Sequence, residues 1–187
     1  MMNETIQSML DRRSIRAFKT EQIKEEELQT ILTTGLAAPS ANNSQPWYVT
    51  VIQNKEMIDW IVEENKKVMR SSGNPEMVKR ADDPKTHNFY HAPTVILFSA
   101  EQSRSYGKSD CANLATQAAL AAHSIGLGSC YVASFMQAFA TEKGPEMAKK
   151  LQVPEGYFPV FGLAVGYPDC PQPAAKPRKE NCITYIR

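Results

Sequence analysis

Apolar positions along the chain switch between a helical and a strand-like period, and each switch marks an element. Ile6, Met9 and Leu10 have the spacing of a short amphipathic helix over residues 3–11. Ile23, Leu28, Ile31 and Leu32 predict a second helix over 20–34, with Thr20 as candidate N-cap, glutamates in its early turns and Gly35 as its stop. Met57, Ile58, Ile61, Val62 and Val68 predict a third over 55–69. Val95-Ile96-Leu97-Phe98 is too short for a helix and reads as a buried central strand within 93–100. Further strands are predicted over 47–53, after Gly126-Leu127-Gly128, and over 159–166. Ser109 to Gly126 is the longest predicted helix, with alanines on more than one face, as at a domain centre or subunit interface. Thr141 to Leu151 predicts another, and residues 71–83 read as an excursion with a short helix at 76–81, a conceivable lid. Four prolines between Pro168 and Pro177 extend the tail; Cys182 to Ile186 then have strand propensity and need a sheet edge, which a second subunit would offer.

Composition narrows the choice. A chain of 187 residues suits one domain over 1–187, with 168–187 as an extended arm. Twenty-one basic against 20 acidic residues leave a net charge of +1, so no global field points to nucleic acid or an anionic membrane. Any basic site must be local. No apolar run is long enough to span a bilayer and the first 11 residues lack a secretory apolar core, so a soluble cytoplasmic protein is expected. Cys111, Cys130, Cys170 and Cys182 are dispersed, which indicates reduced thiols and neither a zinc site nor a disulfide framework. His87 and His91 are four apart without a third ligand, so no metal is expected.

Two stretches carry candidate chemistry. Arg12-Arg13-Ser14-Ile15-Arg16-Ala17-Phe18 places three guanidinium groups within five residues, interrupted by a hydroxyl and anchored at Ile15 and Phe18. It reads either as an anion cradle, since charge-assisted bonds are worth about 1.5–3 kcal/mol each, or as a solvated helix end. Ala38-Pro39-Ser40-Ala41-Asn42-Asn43-Ser44-Gln45-Pro46-Trp47 is a polar loop pinned by a large aromatic, either a plain turn or a loop whose amides and hydroxyls address a polar heterocycle. Lys176-Pro177-Arg178-Lys179 is a second basic cluster, stiff enough to bring cations to an anion at Arg12. Phe89 and Tyr90 either pack in the core or shape a pocket; His123 reads as a core or interface residue and Cys130 as a buried thiol. Gly126-Leu127-Gly128 is no dinucleotide fingerprint, because it follows a helix and lacks the third glycine.

Taken together, RRSIRAF (12–18), APSANNSQPW (38–47), GLGSCY (126–131), LQVPEGYFPVFGLAVGYP (151–168) and KPRK (176–179) resemble, in order and over nearly the whole chain, the nitroreductase family of flavoproteins. The resemblance implies an α+β fold, a central mostly antiparallel sheet flanked by helices. It also implies a homodimer with FMN at the subunit interface and a C-terminal arm that adds a strand to the partner. Carried over by position, Arg12 and Ser14 resemble phosphate and ribityl contacts, with Lys176 and Arg178 closing on the phosphate. Arg13 accompanies them, Arg16 resembles the cation beside the flavin pyrimidine, and Pro39, Ser40, Asn42 and Gln45 resemble the loop offered by the other subunit. The activity implied is ping-pong: NADH or NADPH gives hydride to flavin N5, and an electron-poor small molecule such as a nitroaromatic or quinone then takes the electrons, with no catalytic side chain required. Reductive dehalogenation, flavin breakdown, or non-enzymatic FMN storage are the alternatives on the same fold.

Overall fold

A computed structural model describes residues 1–187. Its centre is a four-stranded antiparallel sheet in the order β1 (Trp47–Ile52), β2 (Thr94–Glu101), β4 (Tyr157–Gly166), β3 (Gly128–Val132). Strand β2 is buried along nearly its whole length, as its unbroken apolar run requires when both faces are covered. Its side chains alternate: Val95 and Leu97 face α3 (Lys55–Ser71) and the short helices α6 (Met136–Phe139) and α7 (Gly144–Lys150), whereas Ile96 and Phe98 face α2 (Glu25–Leu36) and α5 (Gly107–Ser124). Two apolar clusters thus sandwich the sheet. The register Thr50↔Leu97, Leu97↔Gly162 and Val132↔Gly162 holds the strands in place.

Helix α5 is the buried helix that its alanines predicted; Leu114, Ala115, Ala118 and Ala122 are each at most 2% exposed. Gly35 does not stop α2 but lies inside it, where an added Cβ would come within 3.1 Å of the Ala118 Cβ. Its role is close helix approach. Helix α2 also begins at Glu25 and not at Thr20: Glu27 accepts the backbone N–H of Lys24 at 2.8 Å and the Tyr167 hydroxyl at 2.7 Å, so the start is set by a tertiary contact. The predicted helix over 141–151 is shorter, Gly144–Lys150, and is preceded by α6, whose single turn gives no periodic signal. The short helix of the 71–83 excursion is present as α4 (Pro75–Asp82), capped by Asn74.

Helix α1 (Glu4–Asp11) leaves Ile6, Met9 and Leu10 exposed, and none of its residues is buried. No strand forms at 182–186 within the chain; beyond Gln172 every residue is exposed, including Ile183, Tyr185 and Ile186. No helix is long and apolar enough to cross a membrane.

Candidate functional site

The arginine stretch leaves α1 as an extended segment clamped along β3. Ser14 bridges Ser129, the Ile15 N–H donates to the Ser129 carbonyl at 2.9 Å, and Phe18 bridges Pro168. The apolar anchors are buried, Ile15 at 6% and Phe18 at 8% exposure. An extended backbone alternates its side chains, so Arg12, Ser14 and Arg16 share one side and Arg13 takes the other. Arg13 turns back to donate to the carbonyls of Leu10 at 2.6 Å and Arg12 at 2.9 Å, closing the end of α1. It lies beside Ser129, His123 and the root of the C-terminal arm in a cavity of about 210 Å³.

None of these arginines has a carboxylate at ion-pair distance. Their charge is therefore available to a ligand. Arg16 is exposed, with its guanidinium carbon 5.7 Å from the centre of the Tyr90 ring. Its pKa is raised above the ordinary value, chiefly by its contact with Tyr90. Cys130 is 1% exposed and burial pushes its thiol up against the pull of Arg16, so it stays protonated at neutral pH, as a buried thiol.

Tyr90 and its neighbours are held by His87. Two backbone N–H groups, from Phe89 at 3.2 Å and His91 at 3.1 Å, donate to His87 Nδ1, so the ring hydrogen sits on Nε2 and faces Asp59 Oδ1 at 3.3 Å. Burial is the main reason that the His87 pKa falls to about 4. The turn places Tyr90 and His91 at positive φ, 55° and 57°. Of the aromatic pair, Phe89 is core and Tyr90 faces the site, which the sequence pattern could not apportion.

Pro39, Ser40, Asn42 and Gln45 stand elsewhere. Their loop is fixed by the Asp110 carboxylate, which accepts the Ala41 N–H at 3.2 Å, by Asn113, which donates to the Pro39 carbonyl, and by Ser40 Oγ, which accepts the Gln45 N–H at 3.0 Å. Asn42, Asn43 and Gln45 all adopt positive φ, so tertiary hydrogen bonds and not local preference hold the shape. The loop feeds β1 at Trp47, opposite Ala100 of β2, whereas Ser129 is in register through Val165 with Thr94 of β2. At about 3.3 Å per residue and about 4.8 Å per strand, the two corners are about 24 Å apart across the sheet. One chain does not bring them together. Nor are Lys176 and Arg178 near the cluster by any recorded contact; the arm's last tie is the Gln172 amide donating to the Asp11 carbonyl at 2.7 Å.

A concavity of about 910 Å³ lies between α7 and the turn before β4, with Lys149 its single basic lining residue. A row of uncompensated cations, and not size, marks the candidate site along β3.

The chain is 27% identical to a nitroreductase with bound FMN from Bacteroides fragilis, with a TM-score of 0.92 and both chains covered in full. It is 31% identical to a nitroreductase with bound FMN from Desulfitobacterium hafniense, with a TM-score of 0.91 and again full coverage of both chains. An FMN reductase [NAD(P)H] of Bacillus subtilis is 28% identical over 200 residues, covering 95% of this chain and 70% of that protein. The profile described as "Nitroreductase family" matches residues 9–167, and the chain belongs to that family.

Proposed function

We propose that this protein is an FMN-dependent oxidoreductase that takes electrons from NADH or NADPH and passes them to electron-poor acceptors such as nitroaromatics or quinones. The observation that carries the reading is the row Arg12, Ser14 and Arg16 on one side of a segment clamped to β3, without a carboxylate partner. That donor set fits a phosphate at one end and an electron-rich ring edge at the other. Relatives with the same fold over their full length bind FMN.

Bound FMN would supply the hydride and electron chemistry. Arg12 and Ser14 hold the phosphate and ribityl end. The Arg16 cation, held beside Tyr90, would face the ring end, where a positive charge favours the reduced form. Arg13 acts from behind, by fixing the end of α1 through the Leu10 and Arg12 carbonyls. Cys130 remains a neutral thiol beneath the site.

The working unit is a homodimer in this reading. Pro39, Ser40, Asn42 and Gln45 lie at the far corner of their own sheet, so they serve the site of the other copy. Lys176 and Arg178 come to the phosphate on the C-terminal arm. The apolar face of α1 is uncovered, as are Ile183, Tyr185 and Ile186. β1 is paired on one side only, and a groove follows its free edge beside Met57 and Leu151, so the arm of one copy adds a fifth strand there. A cytoplasmic setting, where NAD(P)H is supplied and Cys111, Cys130, Cys170 and Cys182 remain free thiols, completes the reading.

The test is the visible spectrum of the purified full chain with FMN, before and after anaerobic NADH or NADPH, followed by reoxidation with a nitroaromatic, a quinone, a halotyrosine or oxygen. Bleaching by the nicotinamide and recovery with nitroaromatic or quinone are expected. A yellow protein that neither nicotinamide reduces would overturn the enzymatic reading in favour of FMN storage.

A further inference from the structure

Behind the row of cations a buried amide relay reaches the surface. Asn65 of α3 is 1% exposed, and its Nδ2 donates to Asn88 Oδ1 at 3.3 Å and to the Met69 sulfur at 3.6 Å. The Asn88 Nδ2 donates in turn to Ser134 Oγ at 2.8 Å. Asn88 is 8% exposed, whereas Ser134, just beyond the end of β3, is exposed.

The Met69 sulfur favours one direction for this relay, in which Asn65 Oδ1 is left buried without a partner. A thioether sulfur only accepts, so Met69 requires the amino group of Asn65 on its side. Asn65 therefore presents hydrogen to Asn88, and Asn88 presents its own amino group to Ser134. Reversing both amides would set the Asn65 oxygen against the sulfur. Because Ser134 Oγ accepts from inside, its own hydrogen is left to donate outward.

The location follows from the same turn that holds Tyr90. Residues 87–91 carry Asn88 to Ser134 and, two residues on, Tyr90 to Arg16 and Cys130. Phe89 between them packs on Phe135, with ring centres 5.4 Å apart. The polar side chains thus run along β3 from Ser14 at Ser129, past Arg16 at Cys130, to Ser134. Strand β3 ends at Val132, and Ser134 sits in the turn two residues beyond it. Arg12 and Ser14 mark one end of that line, and Ser134 marks the other.

We propose that Ser134 is a further cofactor-binding residue, a hydroxyl that donates a hydrogen bond to the ring end of the flavin, with Asn88 and Asn65 as the positioning residues that set its polarity. This rests on the flavin reading above. A fixed donor there favours the electron-rich reduced ring over the oxidised one. It thereby adds to the effect of Arg16 from the opposite side of Tyr90.

The test uses the full chain with FMN and reads the reduction potential, the visible spectrum and the FMN dissociation constant. Ser134→Ala is expected to lower the potential, shift the bound flavin's spectrum and weaken FMN binding about 2- to 10-fold, the range of one neutral hydrogen bond. Ser134→Thr, which keeps the hydroxyl, is expected to restore wild-type values. Asn88→Asp puts an acceptor where the amino group stood and draws the Ser134 hydrogen inward. Beyond its charge effect, read in a Ser134→Ala background, it is expected to reproduce the loss seen with Ser134→Ala. Equal potentials and affinities for wild type and Ser134→Ala would overturn the proposal while leaving the flavin reading intact. An Asn88→Asp effect of equal size in both backgrounds would overturn the relay. Wild-type chain that takes up no FMN would overturn both readings together. Should the Asn88 variant not fold, the exposed Ser134 pair still decides.

Discussion

The Ile15 side chain lies directly on Gly128, so close that an added Cβ there would come within 3.0 Å of the Ile15 Cβ. This contact lets the arginine segment lie flat along β3, because a glycine at the start of the strand leaves room for the anchor between Arg13 and Arg16. Gly128→Ala is accordingly expected to lift the segment, costing about 1–3 kcal/mol of stability by overpacking. Arg12 and Arg16 would no longer be held in one row, so FMN affinity should fall as well. Thermal unfolding and a flavin titration check both, and unchanged values in each would show that the contact is slack.

Arg12→Ala and Arg178→Ala are each expected to weaken FMN binding by about 1–3 kcal/mol, the worth of a charge-assisted bond. The loss should be specific to the phosphate. Riboflavin, which has none, should bind both variants as it binds the wild type. Equal losses for FMN and riboflavin would place these cations elsewhere than at the phosphate.

Arg16 makes a different prediction because it stands beside Tyr90, away from Arg12. Arg16→Gln removes a positive charge near the reduced ring and should lower the flavin potential more than it lowers affinity. An anaerobic redox titration reads this directly, and a potential equal to that of wild type would assign Arg16 to the scaffold.

Deleting residues 173–187 removes Lys176 and Arg178 together with the exposed Ile183, Tyr185 and Ile186. The shortened chain should lose FMN and dissociate toward monomer in light-scattering chromatography. A truncated protein that remains a flavin-bound dimer would show the arm to be dispensable.

Stability should depend on pH through His87. Its folded pKa of about 4 lies below the unfolded value of 6.5, so between these values the unfolded chain binds more protons. The stability contributed by the neutral ring is present in full above pH 6.5 and declines as pH falls toward 4. His87→Asn places an oxygen where Nδ1 stood, to accept the Phe89 and His91 N–H groups, and should flatten this part of a urea-denaturation profile. Persistence of the same slope in the variant would move the dependence to another group.

How much was legible beforehand differs by kind of information. The apolar spacing was enough for α1 and α3, the unbroken apolar run for β2 and the alanine-rich stretch for α5, because each of these patterns is local in the sequence. The order of motifs was enough for the family and the antiparallel sheet. Gly35 shows the limit: a glycine after a helical pattern reads as a stop, and only the nearness of Ala118 turns it into a packing residue. The start of α2 was misplaced for a similar reason, since Glu27 is held by Tyr167, 140 residues away.

Among the candidate site residues, alternation along an extended segment was enough to group Arg12, Ser14 and Arg16 once it was known to be extended, and that depended on its pairing with Ser129. Nothing local in the chain distinguishes Arg13, which turns to the end of α1, from its neighbour. Tyr90, Asn88 and Ser134 carried no spacing signal, because they meet through a turn that His87 shapes with two consecutive positive φ values. The separation of the 39–45 loop from the arginine row is likewise a property of strand order. Residue types and periodicity, being local, were written in the sequence; which corner of the sheet each polar group reaches was decided only when long-range pairing closed the fold.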